Sequence, residues 1–97
     1  MKVDVTAVLK SLKGETLQDV ENDVSLRSVA TAALMMVYPD EQAVGGEEKF
    51  SRYKLALRMN ADSSVELTPE EAAKVKQLIG KAFGPAVVGP AYELLNG

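Results

Sequence analysis

The chain has 97 residues, 46% of them hydrophobic and 26% charged, with a net charge of −3 and neither cysteine nor histidine. That length makes one domain around one core, with roughly 60–65% of the unfolded surface buried, and the composition is that of a folded chain rather than a disordered one. Without Cys there is no disulfide framework and no thiol chemistry, without His the commonest general base and transition-metal ligand is missing, and the acidic balance argues against a dedicated nucleic-acid binder.

No apolar run approaches the roughly 18 residues of a membrane span; ALMMVY at 33–38, within the run that begins at Ala32, falls far short. The opening MKVDVTAVLK carries Asp4 and alternates in polarity, unlike a signal peptide. The expectation is a cytoplasmic protein with no membrane partner.

In chain order, Val3, Val5, Ala7 and Leu9 alternate with Lys2, Asp4, Thr6 and Lys10, the period of a half-buried strand. Gly14 in SLKGE can take a positive φ, and TLQDV (16–20) can return as a second strand, so a β-hairpin is predicted. Two strands are marginal alone and must lie on helices. Asp19, Glu21 and Asp23 are spaced as in a calcium loop. The Gly and Glu that such a loop needs at its sixth and twelfth positions are replaced by Val24 and Ala30, so the stretch reads as an acidic turn.

Ser25 is a candidate N-cap for a first helix that Pro39 stops. Its inner face is Leu26, Val29, Ala30, Ala33, Leu34 and Val37. Opposite lie Ala32, Met35 and Met36, with Ser28 beside them and Tyr38 just beyond, where a solvated helix carries Lys, Glu or Gln. Methionine-rich surface suits adaptable protein contacts.

PDEQAVGGEE is a loop, and a second helix is predicted over about 47–60. Projection groups Phe50, Tyr53 and Leu57 with Ala56 as a core face, and sets Leu55 and Met59 roughly opposite. The cations Lys49, Arg52, Lys54 and Arg58 fall on no single stripe, so this is read as a central core helix and not a nucleic-acid reader. SSVEL reads as a short strand or an extended lead-in.

The third helix has the clearest start: Thr68 caps, Pro69 takes the first position, and Glu71 completes a capping box. Val75, Leu78, Ile79, Ala82 and Phe83 form its apolar face. Gly84-Pro85 ends it, and Gly89-Pro90 introduces a last short helix, AYELL. The glycines of GPAVVGPA do not make a phosphate cradle, because each Pro removes a backbone N–H.

No serine lies in a nucleophile elbow, and carboxylate pairs such as Glu70-Glu71 serve helix capping. No catalytic residue, cofactor or metal site is therefore expected. Taken together, VDVTAVLKSLKGETL, SLRSVATAAL, EEKFSRYKLALRMN, VELTPEEAAKVKQLIGKAFGP and VVGPAYELL resemble small proteins of unknown function encoded by tailed bacteriophages and prophages. The resemblance implies a bacterial host cytoplasm and a short accessory product, and it carries over no functional residues.

The expected architecture is one α+β domain, 1–97: an N-terminal β-hairpin packed on a bundle of three helices plus a short C-terminal helix. The expected role is non-catalytic binding of a host factor or defence protein, through Met35, Met36 and Tyr38 or through Tyr92, Leu94 and Leu95. The alternatives are a homo-oligomeric virion or assembly accessory protein and, less favoured, a weak nucleic-acid binder.

Overall fold

The computed structural model describes residues 1–18, 24–41 and 44–96; the acidic positions Asp19, Glu21 and Asp23 lie outside the described residues. The elements are β1 (Lys2–Asp4), α1 (Leu26–Met35), α2 (Gly46–Ala61), β2 (Ser64–Glu66), α3 (Pro69–Ala82) and α4 (Pro85–Leu95), an α+β arrangement.

β1 pairs antiparallel with β2 in the register Lys2↔Glu66, Val3↔Val65, Asp4↔Ser64. The alternation beyond Asp4 does not continue as a strand. The Asp4 carboxylate accepts the Thr6 N–H at 2.9 Å and the Thr6 hydroxyl at 2.6 Å, and this Asx turn competes with the ladder. Further on the chain does fold back where SLKGE suggested. The Gly14 N–H donates to Ser11 O, Gly14 takes φ 82°, and Leu17 N–H donates to Leu9 O. This return carries an isolated bridge at Lys10↔Thr16, and the three-residue ladder is made with β2.

Ser25 caps α1 in a reciprocal box with Ser28, and the next two N–H groups are taken by the 5–7 segment, Leu26 to Ala7 O and Arg27 to Val5 O. The segment that fails to form a long strand therefore closes the start of α1. That helix ends at Met35, with Met36 already extended at ψ 147°, and Pro39 disfavours helical backbone at Tyr38 just beyond. Tyr38 folds inward instead. Its hydroxyl donates to Ala33 O at 2.7 Å, a carbonyl of the last turn, and reaches Leu78 O at 3.2 Å.

α1 is the central element: it packs on α2 and α3 and also touches α4. Leu26, Val29, Ala30, Ala33 and Leu34 are buried, and the small alanines let neighbouring helices approach. Val37, expected on this face, is exposed because the helix has already stopped. α3 follows its sequence closely, with the Thr68–Glu71 capping box formed and Val75, Leu78 and Ile79 buried. α4 is longer than AYELL. It begins with Pro85 at its first position and runs through Gly89-Pro90. Pro90 cannot donate to Ala86 O, but Ala86 is exposed, so water can replace that bond.

Candidate docking surface

The orientation of α2 departs most from expectation. Its buried residues are Leu55, Ala56 and Met59, whereas Phe50, Tyr53 and Leu57 point outward. The helix is thus rotated about its axis from the predicted placement, and its larger apolar stripe faces away from the core. Arg27 fixes this orientation from α1, donating from Nε to Met59 O at 2.8 Å and from its terminal nitrogen to Asp62 O at 2.6 Å. A cation on the closing carbonyls of α2 also suits the negative end of its dipole. At the other end of the helix pair, Arg52 makes a two-pronged contact with Glu41, at 2.9 and 2.8 Å. Buried beside it, Arg52 Nε lies 3.9 Å from Glu48 Oε1, too far for a hydrogen bond.

These ties extend into a network. Lys74 binds Glu48 at 2.6 Å, and Lys81 bridges Asp40 and Glu41, each at 3.2 Å, with its ammonium over the Tyr38 ring. Hydrogen bonding from Arg52, with Lys81 adding to it, holds the Glu41 carboxyl down at about 2. Arg58 pairs with Glu71 and also donates to Glu66 O. The sequence's four-cation cluster is thereby divided. Arg52 and Arg58 are committed to carboxylates, while Lys49 and Lys54 are exposed and have no anionic partner among the described residues.

The outward stripe of α2 meets the end of α1. Met35, Met36, Val37, Phe50, Tyr53 and Leu57 are each between 41% and 86% exposed, so six large apolar side chains face solvent together. Phe50 and Tyr53 stack with ring centroids 6.4 Å apart. Tyr53 and Met35 together line two adjoining concavities. One, of about 200 Å³, is closed by Thr31, Ala56, Leu57 and Asn60. The other, of about 240 Å³, takes in Met36, Val37, Val44 and Lys49. Asn60 donates to Thr31 Oγ1 at 2.9 Å and to Ala56 O at 2.8 Å, so two polar residues of the first concavity are engaged with each other and with the backbone. What remains is a groove between α1 and α2 with mostly apolar walls and Glu41, Lys49 and Arg52 at one end, and contiguous exposed apolar surface is a mark of interaction sites.

Met35 and Met36 stand on this surface as the sequence suggested. The other proposed contact residues do not. Leu95 is 1% exposed and lies within the core, which withdraws it as a docking residue; Tyr38, 6% exposed, is packed into the core and reaches the surface only as part of the wall of the larger concavity. Tyr92 and Leu94 are half-buried against that core. The Tyr92 hydroxyl donates to Lys76 O at 2.6 Å and sits 2.9 Å from where a Cβ on Gly80 would lie, so its ring is spent on the α3–α4 contact. Phe50, Tyr53, Leu57 and Val37 take their place. A signal for the first three was present in the sequence. Lys49 and Lys54 flank their stripe with no acid at i±4, whereas Arg52 follows Glu48 by four residues, as an inward-tied cation does.

Among the described residues no three acidic side chains gather to hold a metal, and no helix is long and apolar enough to cross a membrane. Comparison with family models, curated proteins and solved structures returns no match to this chain.

Proposed function

We propose that this chain is a non-catalytic accessory protein that binds another protein through the α1–α2 surface and modulates it. The observation that carries the reading is the contiguous exposure of Met35, Met36, Val37, Phe50, Tyr53 and Leu57 on one side of a chain whose remaining large apolar residues are mostly packed inward. Interfaces concentrate their energy in a few aromatic and large apolar anchors within a polar surround, and Tyr53 and Phe50 beside flexible methionines fit that description. The resemblance to tailed-phage and prophage products supports placing the partner among bacterial host or defence proteins in the cytoplasm.

The test is capture from bacterial lysate on the tagged chain, beside the variants Met35→Glu/Met36→Glu and Tyr53→Glu. The expected result is a defined host protein retained by the parent and lost from both variants, with their thermal melts unchanged. Recovery of the same proteins on all three, or of the bait alone, would sink the proposal.

A further inference from the structure

The charge around the groove narrows the class of partner. Eight cations lie on the helices: Arg27, Lys49, Arg52, Lys54, Arg58, Lys74, Lys76 and Lys81. Six have an oxygen partner: Arg27 on Met59 O, Arg52 on Glu41, Arg58 on Glu71, Lys74 on Glu48, Lys76 on Asn96 Oδ1 and Lys81 on Asp40. Of the two without one among the described residues, Lys49 lines the groove, and Lys54 stands at the far edge of the α2 stripe, over Phe50. At about 100° per residue Lys49 lies to one side of Tyr53, and Lys54 to the other, past Phe50. Lys49 lines the larger concavity, and the Lys54 ammonium sits 5.4 Å from the centre of the Phe50 ring.

The acids near the groove do not offset these charges. Glu41 reaches the larger concavity but is held by Arg52 and Lys81, and Glu47 shares with Lys54 and Phe50 a separate concavity that also holds Arg58 and Lys74. The exposed side of α1 contributes no charge, since Arg27 is its only ionic residue and is turned to α2. In a protein with net charge −3, this apolar surface therefore carries a free lysine at each edge.

On the reading that the α1–α2 surface is a docking site, we propose that its occupant is an amphipathic α-helix with acidic flanks. That helix lies in the groove and places one large apolar side chain in each concavity. The two concavities share Met35 and Tyr53 as a common wall, so one helix laid across that wall can set anchors from successive turns on either side of it. Glu or Asp beside those anchors meets Lys49 and Lys54. A second copy of this chain fits less well, because a two-fold contact through α2 brings the same lysine-rimmed surface against itself.

The deciding experiment is selection from a displayed library of helical peptides of about four turns. Their core positions vary among Leu, Met, Phe and Ile, and their flanks among Glu, Gln and Lys. Binding to the whole chain is selected, with counter-selection on Tyr53→Glu/Leu57→Glu. The expected outcome is enrichment of Glu-flanked sequences whose affinity falls about tenfold or more in Lys49→Glu/Lys54→Glu and weakens with salt. Enrichment of Gln- or Lys-flanked sequences overturns the acidic-helix assignment while leaving the surface as a docking site. Failure to enrich any helix overturns the helical occupant. Concentration-dependent dimerisation in sedimentation, abolished by Tyr53→Glu, replaces it with a second copy. An unaltered lysate capture by Tyr53→Glu removes the underlying reading itself.

Discussion

Tyr38 shows how one side chain reconciles opposed local demands. Its backbone precedes a proline and is steered away from the helix, yet the end of α1 needs a donor for a last-turn carbonyl, and the phenol supplies it at Ala33 O. Phenylalanine at this position keeps the ring and removes the donor. Tyr38→Phe is expected to lower stability by about 1–2 kcal/mol in urea denaturation, with the fold intact. An unchanged midpoint would show that Ala33 O and Leu78 O need no hydroxyl. Glu41 gives a prediction in pH. Its carboxyl is held at about 2, below the ordinary value of 4.5, by hydrogen bonding to Arg52. A depressed carboxylate stabilises the fold above its unfolded value, and that contribution is lost as pH falls toward the folded one. Asp4, through the Thr6 hydroxyl, and Glu71, through the Thr68 N–H, are lowered too and act in the same direction. The unfolding midpoint should therefore fall on acidification from about 4.5 to about 2, and fall less steeply in Glu41→Gln. Equal slopes in parent and variant would remove Glu41 from the linkage.

At the scale of elements, legibility follows how local the determinants are. α3 could be read from its own residues, because Thr68, Pro69 and Glu71 specify its start within one turn and its apolar stripe is single. Leu78→Ala, deep in that stripe, is expected to cost about 2–5 kcal/mol; a loss below about 0.5 kcal/mol in chemical denaturation would place the stripe elsewhere. α1 was legible in its start and its inner face, but its end at Met35 depends on where Tyr38 finds acceptors. The rotation of α2 was hidden because two apolar stripes compete, and aromatic size pointed to the wrong one. What decides it is Arg27 reaching Met59 O and Asp62 O across 32 and 35 residues, a pairing with no signature in either segment. The strand partner of Lys2–Asp4 was hidden for the same reason, since Ser64–Glu66 lies some sixty residues on. In α4 the Gly89-Pro90 pair looked like a stop, yet a helix already begun at Pro85 carries through it where the freed carbonyl is exposed. The contact surface inherited these limits. Met35 and Met36 were readable as apolar residues on an outer face, whereas Tyr53 and Leu57 had only the acid-free flanks of Lys49 and Lys54 to mark them.

At the scale of the molecule, the twenty buried apolar residues among those described stand against the outward set at the end of α1 and along α2. If the outward set is surface, replacing it changes association without changing stability. Phe50→Ser, Tyr53→Ser and Leu57→Ser are each expected to shift unfolding by no more than about 0.5 kcal/mol, whereas burial would make each cost several times that. A large loss from any of the three would return α2 to the core-helix orientation. The two arginine ties also matter for how a partner arrives. Arg27 fastens one end of the α1–α2 pair and the Arg52–Glu41 contact the other, so the spacing between the helices is set before anything lands there. With no slow opening step to wait for, encounter should govern the kinetics. Stopped-flow traces with the chain in excess should be single exponentials whose rate rises linearly with concentration, with a slope of about 10⁵–10⁷ M⁻¹s⁻¹. A rate that levels off would mean that the clamps release first, and the groove would then be a gate rather than a landing.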